Sequence, residues 1–440
     1  MGAHLERQTL ALLAEAMSHL ESGFERLPDF KVNLPDTAAM QAVLNDTAAR
    51  LQDNYPYFHP LYAGQMLKPP HPIARAAYAL STWINPNNHA LDGGRASSAM
   101  EKEAVAEIAA MFGWNTHLGH LTGGGTMANL EALWVAGQLH PGKKIIASNT
   151  SHYTHERISG VLKLPFAKCR LDHLEQLVEM GDVGCVVATV GTTGTGAVDP
   201  LPDILRMRDR YGFRVHVDAS YGGYFALADN LTPQTRAVFD RIGDADSIVI
   251  DPHKHGLQPY GCGCVLFRDT SVGALYRHDS PYTYFSSKDL HLGEISLECS
   301  RPGAAAVALW ATQRMLPLKR GGEFAAGLQS SRRAALALAR KLSADPRWIV
   351  PIEPELDIVV WTLRGRSART ASAASQWIFD EAAKTGLHLA LMQLPIEFFP
   401  GSLVRDQEHV LSLRSVLMKA EHEHWVDEIF NRLTSLLEQA

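Results

Sequence analysis

The sequence contains few cysteines, and their spacing matches neither a disulfide framework nor a zinc site. Its 440 residues include five cysteines, at positions 169, 185, 262, 264 and 299. Their number is odd and none of them forms a Cys-x-x-Cys pair, so disulfide bonding and metal binding are not expected. Reduced thiols of this kind are typical of a reducing compartment, and we expect a cytoplasmic protein.

Basic clusters and long apolar runs are also missing. The formal net charge is −6 at pH 7, so nothing favours binding to nucleic acid or to an anionic membrane. No apolar stretch is long enough to span a bilayer, and the first residues lack the basic-then-apolar order of a signal peptide. The composition is that of an ordinary globular enzyme, and the chain is too long for one small core.

The order of the apolar segments predicts an α/β fold. We expect short buried strands at 144–147, 185–190, 214–217 and 247–250, with helices between some of them, the pattern of a mostly parallel central sheet. This large domain is assigned to residues 91–320, and a small C-terminal α+β domain to residues 321–440. Residues 1–90 are predicted to be a wrapping segment, whose apolar helical stripe at 4–20 packs on its own domain or on a partner subunit.

Polar residues follow each of the four strands, where ligands of a parallel sheet bind. His152, Thr192 and Lys254 are each unremarkable alone, because histidines, threonines and lysines in turns are usually solvated. Asp218 is not explained as an ordinary solvated residue, since burying a carboxylate at a strand end costs free energy unless a cation pairs with it. A protonated pyridine nitrogen is one such cation.

Two motifs strengthen this interpretation. Lys254 lies in the turn Asp-Pro-His-Lys-His-Gly between two apolar strands, where partial desolvation favours a Schiff-base nucleophile. Gly125 and Thr126 belong to a Gly-Gly-Gly-Thr turn that opens a helix, where backbone N–H groups can hold an anion, although an ordinary tight turn is about as common. Together these motifs predict a carbonyl cofactor that carries a phosphate.

The order of four motifs, GGGTxAN, SxxSHY, HVDASYGG and DPHKHG, resembles the group II pyridoxal-phosphate-dependent amino-acid decarboxylases. The likeness extends from about His59 to Arg301 and more thinly to the C-terminus, and the segments HPLYAGQM and NPNNHALDGG are most similar to bacterial tyrosine decarboxylases. The resemblance implies a PLP-dependent transferase-like fold (fold type I), the cofactor pyridoxal 5'-phosphate, and a homodimer with its sites at the subunit interface.

The resemblance also implies a role for each matching residue. Lys254 forms the Schiff base with the cofactor, Asp218 pairs with the pyridine nitrogen, and His152 stacks on the ring. Further cofactor contacts fall on Gly125, Thr126 and His253 at the phosphate, and on Ser220 and Thr192 near the ring and its 3-oxygen. The proton donor is expected to be Tyr282 or Tyr284, which alternatively pack on a partner subunit.

The substrate is the least constrained part of the prediction. His59, Tyr62 and Gln65 are candidate substrate contacts, and Arg414 is either a structural ion-pair residue or a clamp for the substrate carboxylate. An aromatic amino acid such as tyrosine is favoured, and an acidic one such as aspartate or glutamate stays open.

We therefore expect a decarboxylase that converts an L-amino acid to its amine and carbon dioxide. Two other activities of this fold stay open: carbon–carbon lysis of a phosphorylated amino alcohol, and an aldehyde synthase reaction. A non-catalytic regulatory homologue is the remaining alternative, and the presence of Lys254, Asp218 and His152 argues against it.

Overall fold

A seven-stranded sheet runs through the large domain. The computed structural model describes residues 7–31, 33, 36–89, 91–277 and 295–438. The strands of this sheet are β1 Leu118–Thr122, β2 Lys144–Ser148, β3 Phe166–Cys169, β4 Val183–Thr189, β5 Arg214–Asp218, β6 Ser247–Ile250 and β7 Gly263–Phe267. Their order is β1-β7-β6-β5-β4-β2-β3, and β7 is antiparallel to both of its neighbours. The predicted mostly parallel α/β sheet is confirmed.

Helices cover both faces of this sheet, which explains why its central strands are apolar along their whole length. Every residue of β4, β6 and β7 is buried. The helices of this domain are α4 Leu91–Met111, α5 Gly125–Leu139, α6 Thr154–Val161, α7 Leu174–Glu179, α8 Leu201–Tyr211, α9 Pro233–Phe239 and α10 Gly303–Met315. Helix α4 consists of two helical segments that meet at a break at Gly94.

The C-terminal domain is built on a four-stranded antiparallel sheet. Its strands are β8 Trp348–Ile349, β9 Ile358–Leu363, β10 Ala390–Pro395 and β11 His409–Val416, in the order β10-β11-β9-β8. Its helices are α11 Glu323–Ala344, α12 Ala368–Lys384 and α13 His422–Glu438. The predicted small α+β domain is confirmed, although the two-residue strand β8 gave no signal in the sequence.

Part of the N-terminal segment is embedded in this small domain. Leu61 and Ala63 lie in the same apolar core as α11, α12 and α13. Tyr62 is buried beside His388, with which it forms an isolated β-bridge. The wrapping segment therefore contacts its own subunit at this point.

The first two helices are only partly covered by the described part of the chain, where the first helix lies against the third. Helices α1 (Arg7–Ser22) and α2 (Thr37–Leu51) bury none of their residues, whereas α3 (Pro72–Thr82) buries three. Leu10, Leu12, Val43 and Leu44 are each more than half exposed. Within the described ranges, no helix has the length and apolar character that crossing a bilayer requires.

Candidate active site

A cavity of about 510 Å³ opens at the carboxyl ends of β4, β5 and β6. Residues at the ends of these strands line it, together with the first turn of α5 and residues near the start of α6. This is the edge of a parallel sheet where ligands bind, because the strands deliver their following loops to one place.

Lys254 lies on the wall of this cavity and forms an ion pair with Asp251. The lysine Nζ is 3.0 Å from Asp251 Oδ2, and Nε2 of His253 is 3.6 Å from the same oxygen. The Asp251 side chain is buried, and its Oδ1 has no hydrogen-bond partner among the described residues. The sequence had pointed to Lys254 and His253, whereas Asp251, in the same turn, was not recognised as a site residue.

Asp218, the last residue of β5, is held ionised by three donors. Its Oδ2 accepts a hydrogen bond from His155 Nε2 at 2.9 Å, and its Oδ1 accepts from the Ser220 hydroxyl at 2.6 Å and the Ser220 N–H at 3.1 Å. Burial alone would raise the pKa of Asp218, but the bonds from His155 and Ser220 and the charge of Lys254 hold this pKa well below its usual range. The result is a fixed negative charge at the bottom of the cavity.

His152 also lines the cavity, just before α6. Its Nδ1 bonds with the hydroxyl of Thr154 at 2.7 Å, and its ring lies 4.4 Å from that of Tyr153. Burial lowers the pKa of His152, the charge of Lys254 lowers it further, and the charges of Asp218 and Asp251 oppose the shift. A neutral imidazole with a fixed ring is suited to lying against a flat aromatic ligand.

The first turn of α5 closes another side of the cavity. Its N-cap is Gly124, with a φ of 147° that disfavours other residues, and no described side chain caps the helix. A Cβ at Gly125 would lie 2.6 Å from an oxygen of Asp251 and 2.9 Å from the Ser220 hydroxyl, so only glycine fits. Backbone N–H groups at an uncapped helix start can receive a phosphate.

The residues present fit pyridoxal phosphate. A lysine, a buried carboxylate, a neutral imidazole and an uncapped helix start border one cavity, and these are the groups that its aldehyde, ring nitrogen, ring face and phosphate require. Among the described residues, no cluster of side chains could hold a metal ion.

Not every predicted residue reaches the cavity. Thr192 is buried and its hydroxyl bonds with Thr195, while the neighbouring Thr193 lines the cavity instead. The His59 ring makes an edge-to-face contact with Trp425, and Tyr62 packs on the small domain. Tyr282 and Tyr284 lie outside the described residues.

Gln65 and Arg414 are connected to the cavity through one residue. Arg414 donates from Nη2 to Gln65 Oε1 at 2.5 Å and from Nη1 to the carbonyl oxygen of Thr193 at 3.1 Å. Glu298 is a further lining residue that the sequence did not indicate, and it accepts the N–H of Gly123 at 2.9 Å.

Comparison with known proteins identifies relatives of the same kind. The family model described as the pyridoxal-dependent decarboxylase conserved domain matches residues 161–364. The chain is 27% identical over 314 residues to a probable L-tyrosine/L-aspartate decarboxylase of Methanothermobacter thermautotrophicus, a match that covers 68% of this chain and 82% of that protein. It is 28% identical over 342 residues to an L-aspartate decarboxylase of Thermococcus kodakarensis, covering 73% and 84%. With an L-tyrosine decarboxylase of Enterococcus faecium it shares 27% over 412 residues, covering 69% and 67%.

Solved structures show the same fold. Mouse CSAD in apo form superposes with a TM-score of 0.77 at 19% identity, covering 95% of this chain and 91% of that one. Oryza sativa TDC with PLP and tryptamine gives 0.77 at 17% identity, covering 99% and 100%. The predicted family and cofactor are confirmed by the family model and the curated relatives. Residues 161–364 thus carry the pyridoxal-dependent decarboxylase domain, and the curated decarboxylases extend the similarity to about two thirds of the chain.

Proposed function

We propose that this decarboxylase acts on L-tyrosine, with L-aspartate as the second candidate, and releases the corresponding amine and carbon dioxide. The observation that carries the proposed chemistry is that Lys254, Asp218 and His152 border one cavity. The choice of substrates rests on the relatives, whose names include both L-tyrosine and L-aspartate decarboxylase.

Each residue of the cavity has a proposed task. Pyridoxal phosphate, when bound, supplies an electron-accepting ring that takes up the electron pair of the broken bond. Lys254 holds the cofactor aldehyde, and Asp218 keeps a negative charge beside the ring nitrogen. His152 supports the ring face. The N–H groups of Gly125 and Thr126, with His253, receive the phosphate.

Arg414 is proposed to bind the α-carboxylate of the substrate. Its guanidinium is buried, it donates to two neutral oxygens, and its Nε has no partner among the described residues. A buried cation without a carboxylate partner is costly, and a substrate carboxylate would supply that partner. The hydrogen bond from this guanidinium to the carbonyl oxygen of Thr193, a residue that lines the cavity, supports the proposal.

Replacing the lost carboxylate requires a proton on the α-carbon. Tyr282 or Tyr284 is proposed to deliver it, by resemblance to the family, because a general acid must approach and withdraw during the cycle. If neither tyrosine serves, His152 is the next candidate, since it lies on the cavity wall.

The enzyme is proposed to be a cytoplasmic homodimer. The apolar residues of α1 and α2 that the chain leaves exposed, such as Leu10 and Val43, need a cover, and a second copy would supply one. Light scattering at micromolar concentration should then give about twice the 48.3 kDa of one chain. A stable, active monomer would contradict this assembly.

A panel of the twenty standard L-amino acids tests the substrate. The holoenzyme is incubated with each, and carbon dioxide, amine, aldehyde and ammonia are measured together. L-Tyrosine should give equal amounts of carbon dioxide and tyramine, and a Lys254→Ala variant should give neither. Aldehyde without amine would contradict a simple decarboxylase, and activity confined to other amino acids would overturn the proposed substrates.

A further inference from the structure

A second cavity, of about 470 Å³, lies behind the turn that carries Lys254. It is lined by residues between Phe58 and Pro72, by the first turns of α11 and by the residues just before α13. His255 and Leu257 bring the turn after β6 to its wall. No residue that lines the first cavity also lines this one.

Two lysines from distant parts of the chain meet at this cavity. The Nζ of Lys68 donates to the carbonyl oxygen of Met418 at 3.2 Å, and the Nζ of Lys419 donates to the carbonyl oxygen of Tyr62 at 2.7 Å. An ammonium group has three donors, so each lysine keeps capacity for further partners. Among the described residues, neither lysine forms an ion pair with a carboxylate.

The environment of these lysines is unfavourable for positive charge. Burial lowers the pKa of Lys68 to about 8, although the charges of Asp357 and Glu421 oppose the shift. Burial lowers the pKa of Lys419 to about 7, and the nearby charge of Lys68 adds to the effect. Asp357 and Glu421 offset this cost only in part, and a bound anion in direct contact with the two ammonium groups would reduce it further.

His255 adds a third feature to the cavity wall. It is fully enclosed, its Nε2 lies 3.2 Å from Asp357 Oδ2, and its Nδ1 has no hydrogen-bond partner among the described residues. Asp357 also accepts a hydrogen bond from the hydroxyl of Tyr221 at 2.5 Å. Asp357, whose charge acts on Lys68, is thus already in contact with two other side chains.

We propose that the second cavity is a binding site for a small oxyanion, a carboxylate or phosphate group that Lys68 and Lys419 hold. The two ammonium groups supply charge and hydrogen-bond donors, and His255 lies in the wall of the same cavity. Phe58, Phe324 and the prolines at 69, 70 and 72 form apolar walls that suit the rest of a small molecule.

Binding should depend on pH, because the anion needs the protonated lysines. The other titratable groups around the two ammonium groups are Asp357, Glu421, Glu323, His71, His255 and His422. Both lysines are charged at pH 6.5 and become largely neutral by pH 8.5, given their lowered pKa values. The anion should therefore bind at least about 10-fold more weakly at pH 8.5.

Isothermal titration of the holoenzyme tests the proposal, since bound cofactor fills the phosphate position of the first cavity. The probes are sulfate, which stands in for a phosphate group without titrating in this pH range, and succinate for a carboxylate. We expect one probe to bind in the micromolar to low millimolar range, and the identity of that probe distinguishes the two sources. Lys68→Met and Lys419→Met should each weaken binding about 10-fold or more, whereas Lys163→Met, at an exposed lysine outside both cavities, should not.

A second measurement uses the wild-type holoenzyme and needs no variant to fold. Brief acetic anhydride labelling at pH 7.5, read by peptide mass spectrometry, reports the reactivity of each lysine. The better probe should slow labelling of Lys68 and Lys419 and leave Lys163 unchanged. Binding of neither probe, or binding that is unchanged in both lysine variants and gives no protection, would overturn the proposal.

Discussion

The hydrogen bond from His155 to Asp218 is the contact whose removal tests the electrostatics of the active site most directly. Replacing His155 with Leu removes the 2.9 Å bond to Asp218 Oδ2 and leaves the two bonds from Ser220 in place. A hydrogen bond to a charged group contributes about 1.5–3 kcal/mol, which corresponds to a rise of about one to two units in the pKa of Asp218. Since this pKa lies well below its usual range in the wild type, Asp218 should stay ionised near pH 7.

The higher pKa of Asp218 in His155→Leu should therefore change cofactor binding only at acidic pH. If the ionised Asp218 retains the cofactor as proposed, retention requires a pH above the pKa of Asp218 in the folded protein, so a higher pKa moves the loss of cofactor to higher pH. Equilibrium dialysis of the cofactor from pH 2 to 6, a range that reaches below the usual pKa of an aspartate, should show this acid limb shifted upward by about one to two pH units in His155→Leu. His155→Gln, whose amide can still donate, should shift it less.

The chain offers a matched control. His120 is also fully buried and bonds through Nε2 to a carboxylate oxygen of Glu131 at 2.9 Å, but neither residue lines the cavity. His120→Leu should lower the free energy of unfolding by about 1–3 kcal/mol, without moving the acid limb. If His155→Leu leaves the limb unchanged, or if His120→Leu moves it equally, the assigned role of His155 is wrong.

Three further predictions concern the proposed chemistry. Borohydride treatment of the holoenzyme should fix a pyridoxyl group on Lys254, and a label on another peptide would contradict its role. Asp218→Asn should lower kcat at least about 100-fold, because loss of a buried counter-charge costs about 3–5 kcal/mol; near wild-type turnover would exclude the assignment. Changing Tyr282 or Tyr284 to Phe should slow amine formation about 100-fold for the residue that donates the proton, with KM little changed and aldehyde plus ammonia as side products. If both Phe variants keep the wild-type rate and product ratio, the proton has another source.

Much of the large domain could be predicted because its strands are buried on both faces. The bounds of β6 were predicted to the residue, since this strand is an apolar run ended by a polar turn. Once the strands are placed, the parallel sheet brings their following residues to one edge. This is why His152, Asp218 and Lys254, which lie far apart in the sequence, were expected in one site and line one cavity.

Side-chain direction at that edge was less predictable. The sequence predicted Thr192 as a cofactor contact, but Thr193 lines the cavity instead. Gly191, with a φ of 93°, turns the chain just before these two residues. A Cβ at Gly191 would lie 2.7 Å from the backbone nitrogen of Gly222, so this turn depends on a contact between loops. Apolar periodicity carries no information about such contacts, and a shift of one residue exchanges the residue that faces the ligand.

The sequence also did not reveal two residues that contact the predicted site residues, His155 and Asp251. Asp251 lies within the motif DPHKHG, three residues before Lys254, and His155 lies two residues after the motif SxxSHY. Their roles come from a second residue that only the fold brings near: Asp218 for His155, and the glycine-rich turn at Gly125 for Asp251. Such pairing is a property of tertiary structure, and composition around a motif does not determine it.

The turn after β6 connects the two cavities through a few residues. Asp251, His253 and Lys254 face the first cavity, and His255 faces the second. His255 follows Lys254 directly and contacts Asp357, which also accepts a hydrogen bond from the Tyr221 hydroxyl. These contacts of His255 restrain the backbone at Lys254. A ligand that pulls His255 toward the second cavity would have to weaken the contact between His255 and Asp357 or move the Lys254 backbone, since protein interiors are closely packed. The arrangement therefore gives a physical route by which an oxyanion on Lys68 and Lys419 could alter the position of Lys254, and linkage requires that cofactor binding then alter the affinity for that anion by the same factor.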